Sequence, residues 1–325
     1  MSVNTANMKN HIATAGILGL AVGDALGVPV EFHDREFLRR DPVTDMRGYG
    51  SHRQPPGTWS DDTSLTLCLV ESICEAGINY DDQAQRFVGW MLRNEWTPHG
   101  RVFDIGNATR EAIFRLDQGV APTEAGLTDE SSNGNGSLMR ILPIAIYLAH
   151  AQQAERNAVA MECSRLTHGH PRCQLACAMF VEIAAAVVRG VELSTAVAIA
   201  RETMASLVAT RAASELKTFA RLLSPDLEML AESKISGSGY VIHCLESSLW
   251  CSLNARSYEE GVLQAVNLGE DTDTTGAVTG GLLGLRFGCE AIPENWKSQI
   301  ARKGEILELC GRFQDVCQRR WEIDQ

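Results

Sequence analysis

The sequence predicts an all-α protein. Apolar residues recur at helical spacing along most of the chain, alternating strand patterns are short and isolated, and no strand–helix alternation repeats. Of 325 residues, 45% are hydrophobic and 22% charged, a balance that suits a buried core rather than a disordered chain. There is no internal repeat, low-complexity tract or flexible linker, so one domain over residues 12–325 is expected, after a polar tail at residues 1–11.

The first apolar run covers residues 12–26 and carries Gly19, Gly23 and Gly27 at four-residue intervals. Helical periodicity follows over residues 65–76, 84–92, 141–150, 173–189, 195–207 and 215–223, then over 241–253, 258–267, 277–285 and 296–321. The late helix repeats the early spacing with Gly276, Gly280 and Gly284. Glycine costs a helix about 1 kcal/mol relative to alanine, so two such rows predict helices whose backbones approach closely. That packing would bring the region of Asp24 and Glu31 toward Asp271 and Asp273. Two segments resist helical assignment: residues 33–58, rich in Pro, Gly and charge, and residues 117–136, rich in Gly, Ser, Thr and Asn. Loops this long inside a domain are functional or mobile as a rule.

A formal net charge of -12 disfavours nucleic acid and anionic membranes as partners, since both need basic surface. The ten cysteines include no C-x-x-C pair, and Cys68, Cys177, Cys244 and Cys251 sit in apolar periodic runs. They read as buried thiols in a reducing cytoplasm rather than as disulfides. Residues 13–30 have GxxxG spacing but are interrupted by Asp24 and barely reach spanning length, and no cleavable signal precedes them. The expectation is a cytoplasmic protein without a membrane partner.

The chemistry lies in two acidic, hydroxyl-rich clusters that each open an apolar helix. Thr-Trp-Ser-Asp-Asp-Thr covers residues 58–63, and Gly-Glu-Asp-Thr-Asp-Thr-Thr-Gly covers residues 269–276. Carboxylate and hydroxyl oxygens are ligands for hard divalent cations. Helix capping is the alternative for either cluster alone. Two clusters with two carboxylates each shift the balance toward metal, because converging carboxylates need protons or cations to relieve their repulsion. Zinc is disfavoured, as no His/Cys set has suitable spacing. Both clusters are expected in loops and cap positions, ahead of Leu65 and before the helix at Gly276.

Beyond the clusters, Gly-Asn-Gly-Ser (residues 134–137) ahead of a helix offers backbone N–H groups to a phosphate. Asp104 is either a proton-handling carboxylate or the cap of the helix at 107–116. Trp59 and Trp96 are stacking candidates for a base or plain core residues.

Five motifs occur in an order that resembles the ADP-ribosylglycohydrolase family. They are Gly-Leu-Ala-Val-Gly-Asp-Ala-Leu-Gly-Val-Pro-Val-Glu (residues 19–31), Trp-Ser-Asp-Asp-Thr (59–63), Gly-Asn-Gly-Ser-Leu-Met-Arg (134–140), Thr-His-Gly-His-Pro (167–171) and the 269–276 cluster. The resemblance covers residues 12–288. It implies a compact orthogonal all-α domain with a binuclear Mg²⁺ or Mn²⁺ site that hydrolyses the bond between ADP-ribose and a modified side chain, commonly arginine. It marks Ser60, Asp61, Asp62, Asp271, Asp273 and Thr274 as metal ligands, with Glu31, Asp104 and Asp62 as catalytic carboxylates. Gly134, Asn135, Gly136, Ser137, Met139, His168 and His170 become the candidate ADP-ribose contacts. Serine at position 60 replaces the threonine common in relatives and keeps the oxygen; Glu270 stands where glycine is usual. The implied partner is an ADP-ribosylated protein. Alternatives are another ADP-ribose linkage (serine or nucleobase) or an immunity protein that neutralises an ADP-ribosyltransferase toxin by contact, with the segments before Ala13 and after Phe32 as places for that contact.

Overall fold

The computed structural model describes residues 11–324, in which the chain winds through sixteen α-helices. In chain order these are α1 (Ile12–Gly27), α2 (Arg35–Arg40), α3 (Asp61–Ala76), α4 (Tyr80–Arg93), α5 (Asn107–Asp117), α6 (Pro122–Ala125), α7 (Leu142–Tyr147) and α8 (Gln153–Arg165). Then follow α9 (Pro171–Val188), α10 (Leu193–Arg211), α11 (Ala220–Leu223), α12 (Val241–Asn254), α13 (Tyr258–Val266), α14 (Thr272–Phe287), α15 (Glu294–Lys297) and α16 (Lys303–Asp324). No strand occurs among the described residues; two isolated β-bridges, Leu127 with His168 and Gly134 with Tyr240, tie loops together. The expected tail falls almost entirely outside the described residues, as does most of the segment before Ala13.

The glycine rows meet. α1 and α14 form the most extensive helix pair of the molecule. A Cβ on Gly19 would lie 2.5 Å from the Gly280 carbonyl oxygen, and one on Gly23 would overlap the Gly276 carbonyl. The approach is reciprocal, for Gly276 faces the Gly23 carbonyl. The Tyr258 hydroxyl donates to the Gly19 carbonyl (2.6 Å) and fastens α13 to the same pair. α1 together with the 3-10 turn that follows it (Ile12–Val30), and α9, are long and apolar enough to cross a membrane, yet both are almost completely buried inside the protein, as core helices are.

Several elements depart from their periodicity. α8 lies in a stretch left unassigned, because it lacks an apolar stripe: its buried set includes Arg156, Asn157 and Ser164. Arg156 is neutralised by a two-pronged contact with Glu182 (3.0 and 2.7 Å), which lets a polar face go inside. The run at 296–321 is broken: α15 ends at Lys297, and Arg302, with φ +55°, turns the chain into α16. The run at 215–223 yields a 3-10 turn at Ala213–Glu215 and the single turn α11, and that at 141–150 closes early as α7. The first long loop contains α2, N-capped by Asp34, whose carboxylate accepts from the Phe37 amide (2.7 Å). The second contains α6.

Candidate active site

The α1–α14 contact sets two helix N-termini side by side. α3 begins with Ser60 as N-cap, its hydroxyl accepting from the Asp62 amide (3.2 Å), so Asp61 and Asp62 fall in the first helical turn. α14 begins after Asp271, so Asp273 and Thr274 are helical too, rather than in a loop ahead of Gly276. Both helices thus begin about one turn earlier than the apolar spacing from Leu65 and Gly276 predicts, because their positive dipole ends favour carboxylates there.

Asp24, in the last turns of α1, anchors α3. Its carboxylate accepts from the Ser60 amide (3.0 Å), the Thr63 amide (3.1 Å) and the Thr63 hydroxyl (2.6 Å). Thr272 donates to the Gly27 carbonyl (2.8 Å), fixing the start of α14 to the end of α1. The clusters then touch: the Ser60 and Thr274 hydroxyls both donate to Asp62 Oδ2 (3.1 and 3.3 Å). Carboxylate oxygens of Glu31, Asp271 and Asp273 lie within 4.8 Å of one another. Asn135, one of the expected ligand contacts, donates its amide to Asp271 Oδ2 (2.9 Å).

Asp62 Oδ1 and Asp273 Oδ2 are buried with no hydrogen-bond partner. Orphaned buried carboxylate oxygens carry a large desolvation penalty. Burial first, and then the neighbouring carboxylates, push Asp61, Asp62 and Asp273 well above the usual carboxylate range. Asp24 and Glu31 rise to about 7, mainly through burial. Unpartnered oxygens, mutual repulsion and an all-oxygen donor set fit hard divalent cations.

The cluster opens on a cleft of about 720 Å³, within the size range of small-molecule sites (roughly 300–1,000 Å³), with Ser60, Asp62 and Asp273 outside its lining. Glu31, Asp61, Asp104, Asp271 and Thr274 line it together with Gly134, Asn135, Gly136, Met139 and His168. Gly136 must be glycine, since a Cβ would lie 2.8 Å from the Thr109 hydroxyl and 2.9 Å from the His168 ring. His168 is buried, shares a hydrogen bond with the Thr167 hydroxyl through Nδ1 (2.8 Å), and is pushed down to about 3 by burial and by nearby Arg140. It is therefore a neutral imidazole at the cleft wall. Arg140 itself is buried behind the 134–139 segment, bonding the Gly136 carbonyl and stacking over Phe87.

Other expected residues stand elsewhere. His170 is outside the cleft lining and N-caps α9, accepting from the Arg172 amide (3.1 Å). Ser137 is fully buried and accepts from the Ser164 hydroxyl (2.9 Å), behind the lining. Trp59 is a core residue, its indole N–H on the Ala301 carbonyl (2.8 Å), and Trp96 packs under Arg302 (4.8 Å). The capping alternative for Asp104 fails because Gly106 is the N-cap of α5; Asp104 lines the cleft instead. Burial raises its carboxyl above the ordinary value.

His52 is the functional neighbour that the sequence does not signal. It hydrogen-bonds Glu31, and its polar atom lies within 4.8 Å of those of Glu31 and Asp104. It stands in the long 33–58 loop, and only that loop's length beside a motif pointed there.

The ADP-ribosylglycohydrolase family matches residues 5–323. The chain is 32% identical to an ADP-ribosylarginine hydrolase Tri1 of Pseudomonas putida, over 96% of this chain and 80% of that one. It is 30% identical to the ADP-ribosyl-[dinitrogen reductase] glycohydrolase of Rhodospirillum rubrum, over 90% and 91% respectively. A solved ADP-ribosylglycohydrolase-related protein complex superposes with a TM-score of 0.76 at 32% identity, over 96% of this chain and 99% of that chain. With the ordered motifs gathered into one cleft and this likeness running through the whole fold, the chain is an enzyme of the ADP-ribosylglycohydrolase family.

Proposed function

We propose that the protein removes ADP-ribose from arginine side chains of modified proteins, at a site that takes two Mg²⁺ or Mn²⁺ ions, in the cytoplasm. The observation that carries this reading is a buried carboxylate cluster opening on a cleft of ligand size: Asp61 and Asp271 line the cleft, and Asp62 and Asp273, each with an orphaned oxygen, lie buried against the lining residues Thr274, Glu31 and Asp271. The arginine linkage is supported by the similarity to the Pseudomonas protein, an ADP-ribosylarginine hydrolase by name. The ten free cysteines suit a reducing compartment.

Ser60, Asp61, Asp62, Asp271, Asp273 and Thr274 would hold the cations. When bound, these would supply positive charge that orients ribose hydroxyls and acidifies a water. Asn135 steadies the Asp271 carboxylate from the cleft wall, and Asp24 fixes the backbone turn that carries Asp61 and Asp62. Gly134 and Gly136 let the backbone come close to a pyrophosphate, and neutral His168 leaves that wall open to hydrogen bonding without a second titration. Glu31, raised by burial to about 7, holds or passes a proton near neutral pH, and Asp104, also raised by burial, is the second carboxyl that can handle protons in the cleft. The Asp104 carboxylate also complements a leaving guanidinium group, which pairs with carboxylates in a planar fork.

The test incubates arginine-, serine- and nucleic-acid-linked ADP-ribose with the protein in Mg²⁺, Mn²⁺ or chelator. Arginine-linked substrate should be hydrolysed only with metal. Asp61→Asn and Asp271→Asn should lose more than the about 10–100-fold that an outer-shell partner costs, and should lose the metal-induced rise in Tm. Full turnover in chelator, or wild-type turnover in either variant, sinks the proposal.

A further inference from the structure

The cleft mouth carries a ridge that the chemistry above does not use. Residues 49–54 fold back onto the Glu31 segment: the Ser51 amide donates to the Pro29 carbonyl (2.9 Å), the Ser51 hydroxyl donates to the Glu31 carbonyl (2.5 Å), and His52 reaches Glu31. The side chains alternate. His52 turns inward, while Tyr49 and Arg53 are exposed, Tyr49 at 68%. Beside them Phe32, 72% exposed, stands at the lip with its ring 5.6 Å from that of His52.

Phe32, Tyr49 and Arg53 all hold left-handed backbone, at φ +69°, +65° and +54°. Large side chains rarely adopt this region, and residues held there gather at functional sites. Neither burial nor an ion pair accounts for keeping an aromatic or arginine at these positions, since all three face solvent. Phe32 lines the cleft at its rim, and Tyr49 and Arg53 lie outside the lining; phenylalanine, tyrosine and arginine exposed there are instead the residue types from which interface anchors are built.

We infer that Phe32, Tyr49 and Arg53 form a docking ridge for the folded surface around the modified arginine of the protein substrate. This rests on the hydrolase reading above. A protein-borne ADP-ribose can enter the cleft only if the surface it hangs from comes against the mouth, so the ridge is continuous with the site. The two aromatics would cover apolar surface beside the modified arginine, and Arg53 would meet a carboxylate there. The ridge thus separates recognition of the carrier protein from recognition of ADP-ribose.

The experiment compares kcat/KM on two substrates, a folded protein ADP-ribosylated on one surface arginine and the small compound ADP-ribosyl-agmatine. The variant is Tyr49→Asn with Arg53→Asn; asparagine takes left-handed backbone readily, so the loop keeps its course. Unchanged Tm verifies this. Turnover of the modified protein should fall at least about tenfold, the effect of losing one interface anchor, while ADP-ribosyl-agmatine changes less than about twofold. An equal loss on both substrates, or no loss on the protein, overturns the docking ridge. A wild-type enzyme that cleaves neither overturns the arginine-hydrolase reading first, and the ridge with it.

Discussion

Glu270 holds a left-handed backbone, φ +66°, between Asp271, the N-cap of α14, and the glycine at 269. Its amide donates to the His33 carbonyl and its carbonyl accepts from the Phe32 amide, both at 2.7 Å, while its side chain is exposed. Both bonds are main-chain, so glycine there keeps them. The family's usual glycine at this place now has a physical reason. Left-handed backbone costs a side-chain-bearing residue about 1–2 kcal/mol, and glycine's extra unfolded-state freedom takes back about 0.4–1 kcal/mol. Glu270→Gly should therefore stabilise the protein by roughly 0.5–1 kcal/mol in urea titration with activity retained. A loss of stability would show that the glutamate contributes something beyond its backbone. At this scale the sequence was most legible where chemistry and position coincide, as for Asp61 and Asp271. It was least legible where one residue type serves two ends. Trp59 and His170 belong to core and cap, and neither indole nor imidazole announces which. His52 acts only through a loop-to-loop contact that no spacing encodes.

The glycine rows were the clearest long-range signal in the sequence, because only close backbone approach compensates six glycines in two helices. Helix α8 was invisible for the opposite reason: its inward face mixes Arg156, Asn157 and Ser164 with Ala160 and Cys163, and Glu182 of another helix pairs with Arg156, so the apolar period is lost. The break between α15 and α16 was equally hidden, since apolar spacing continues across Arg302 and only its backbone changes hand. Substitution separates the two kinds of helical glycine. Gly23→Ala forces a methyl into the Gly276 carbonyl and should cost about 1–3 kcal/mol or more. It should also depress activity, because α14 then shifts against Asp24 and α3. Gly311→Ala on α16, where no atom lies within 4 Å of a new Cβ, should gain up to about 1 kcal/mol. Equal effects in denaturant titrations would refute the close-contact role of the α1–α14 pair.

Across the whole molecule, folding gathers charge that water would otherwise solvate. Asp24 and Glu31 keep protons up to about pH 7 in the folded protein, against ordinary values of 3.8 and 4.5. Their folded forms therefore favour acid conditions, and without cations this part of the stability is lost as pH rises from about 4 through about 7. Cations act in the reverse sense, since they bind the deprotonated carboxylates. The rise in Tm on adding Mg²⁺ or Mn²⁺ should consequently grow between about pH 5 and about pH 8. Scanning calorimetry with and without chelator checks it, and a rise that is flat or shrinks with pH would contradict a carboxylate metal site.

The pairing of α1 with α14 also fixes a temporal order. Asp61 and Asp62 leave the ribosome long before Asp271 and Asp273, and the glycine face of α1 has no partner until residues 272–287 are made. A nascent chain thus holds half a site and half of its central helix pair. Pairing of α14 with α1 and onset of hydrolysis become a single event, so a chain halted before α14 is both unpaired at its centre and catalytically silent.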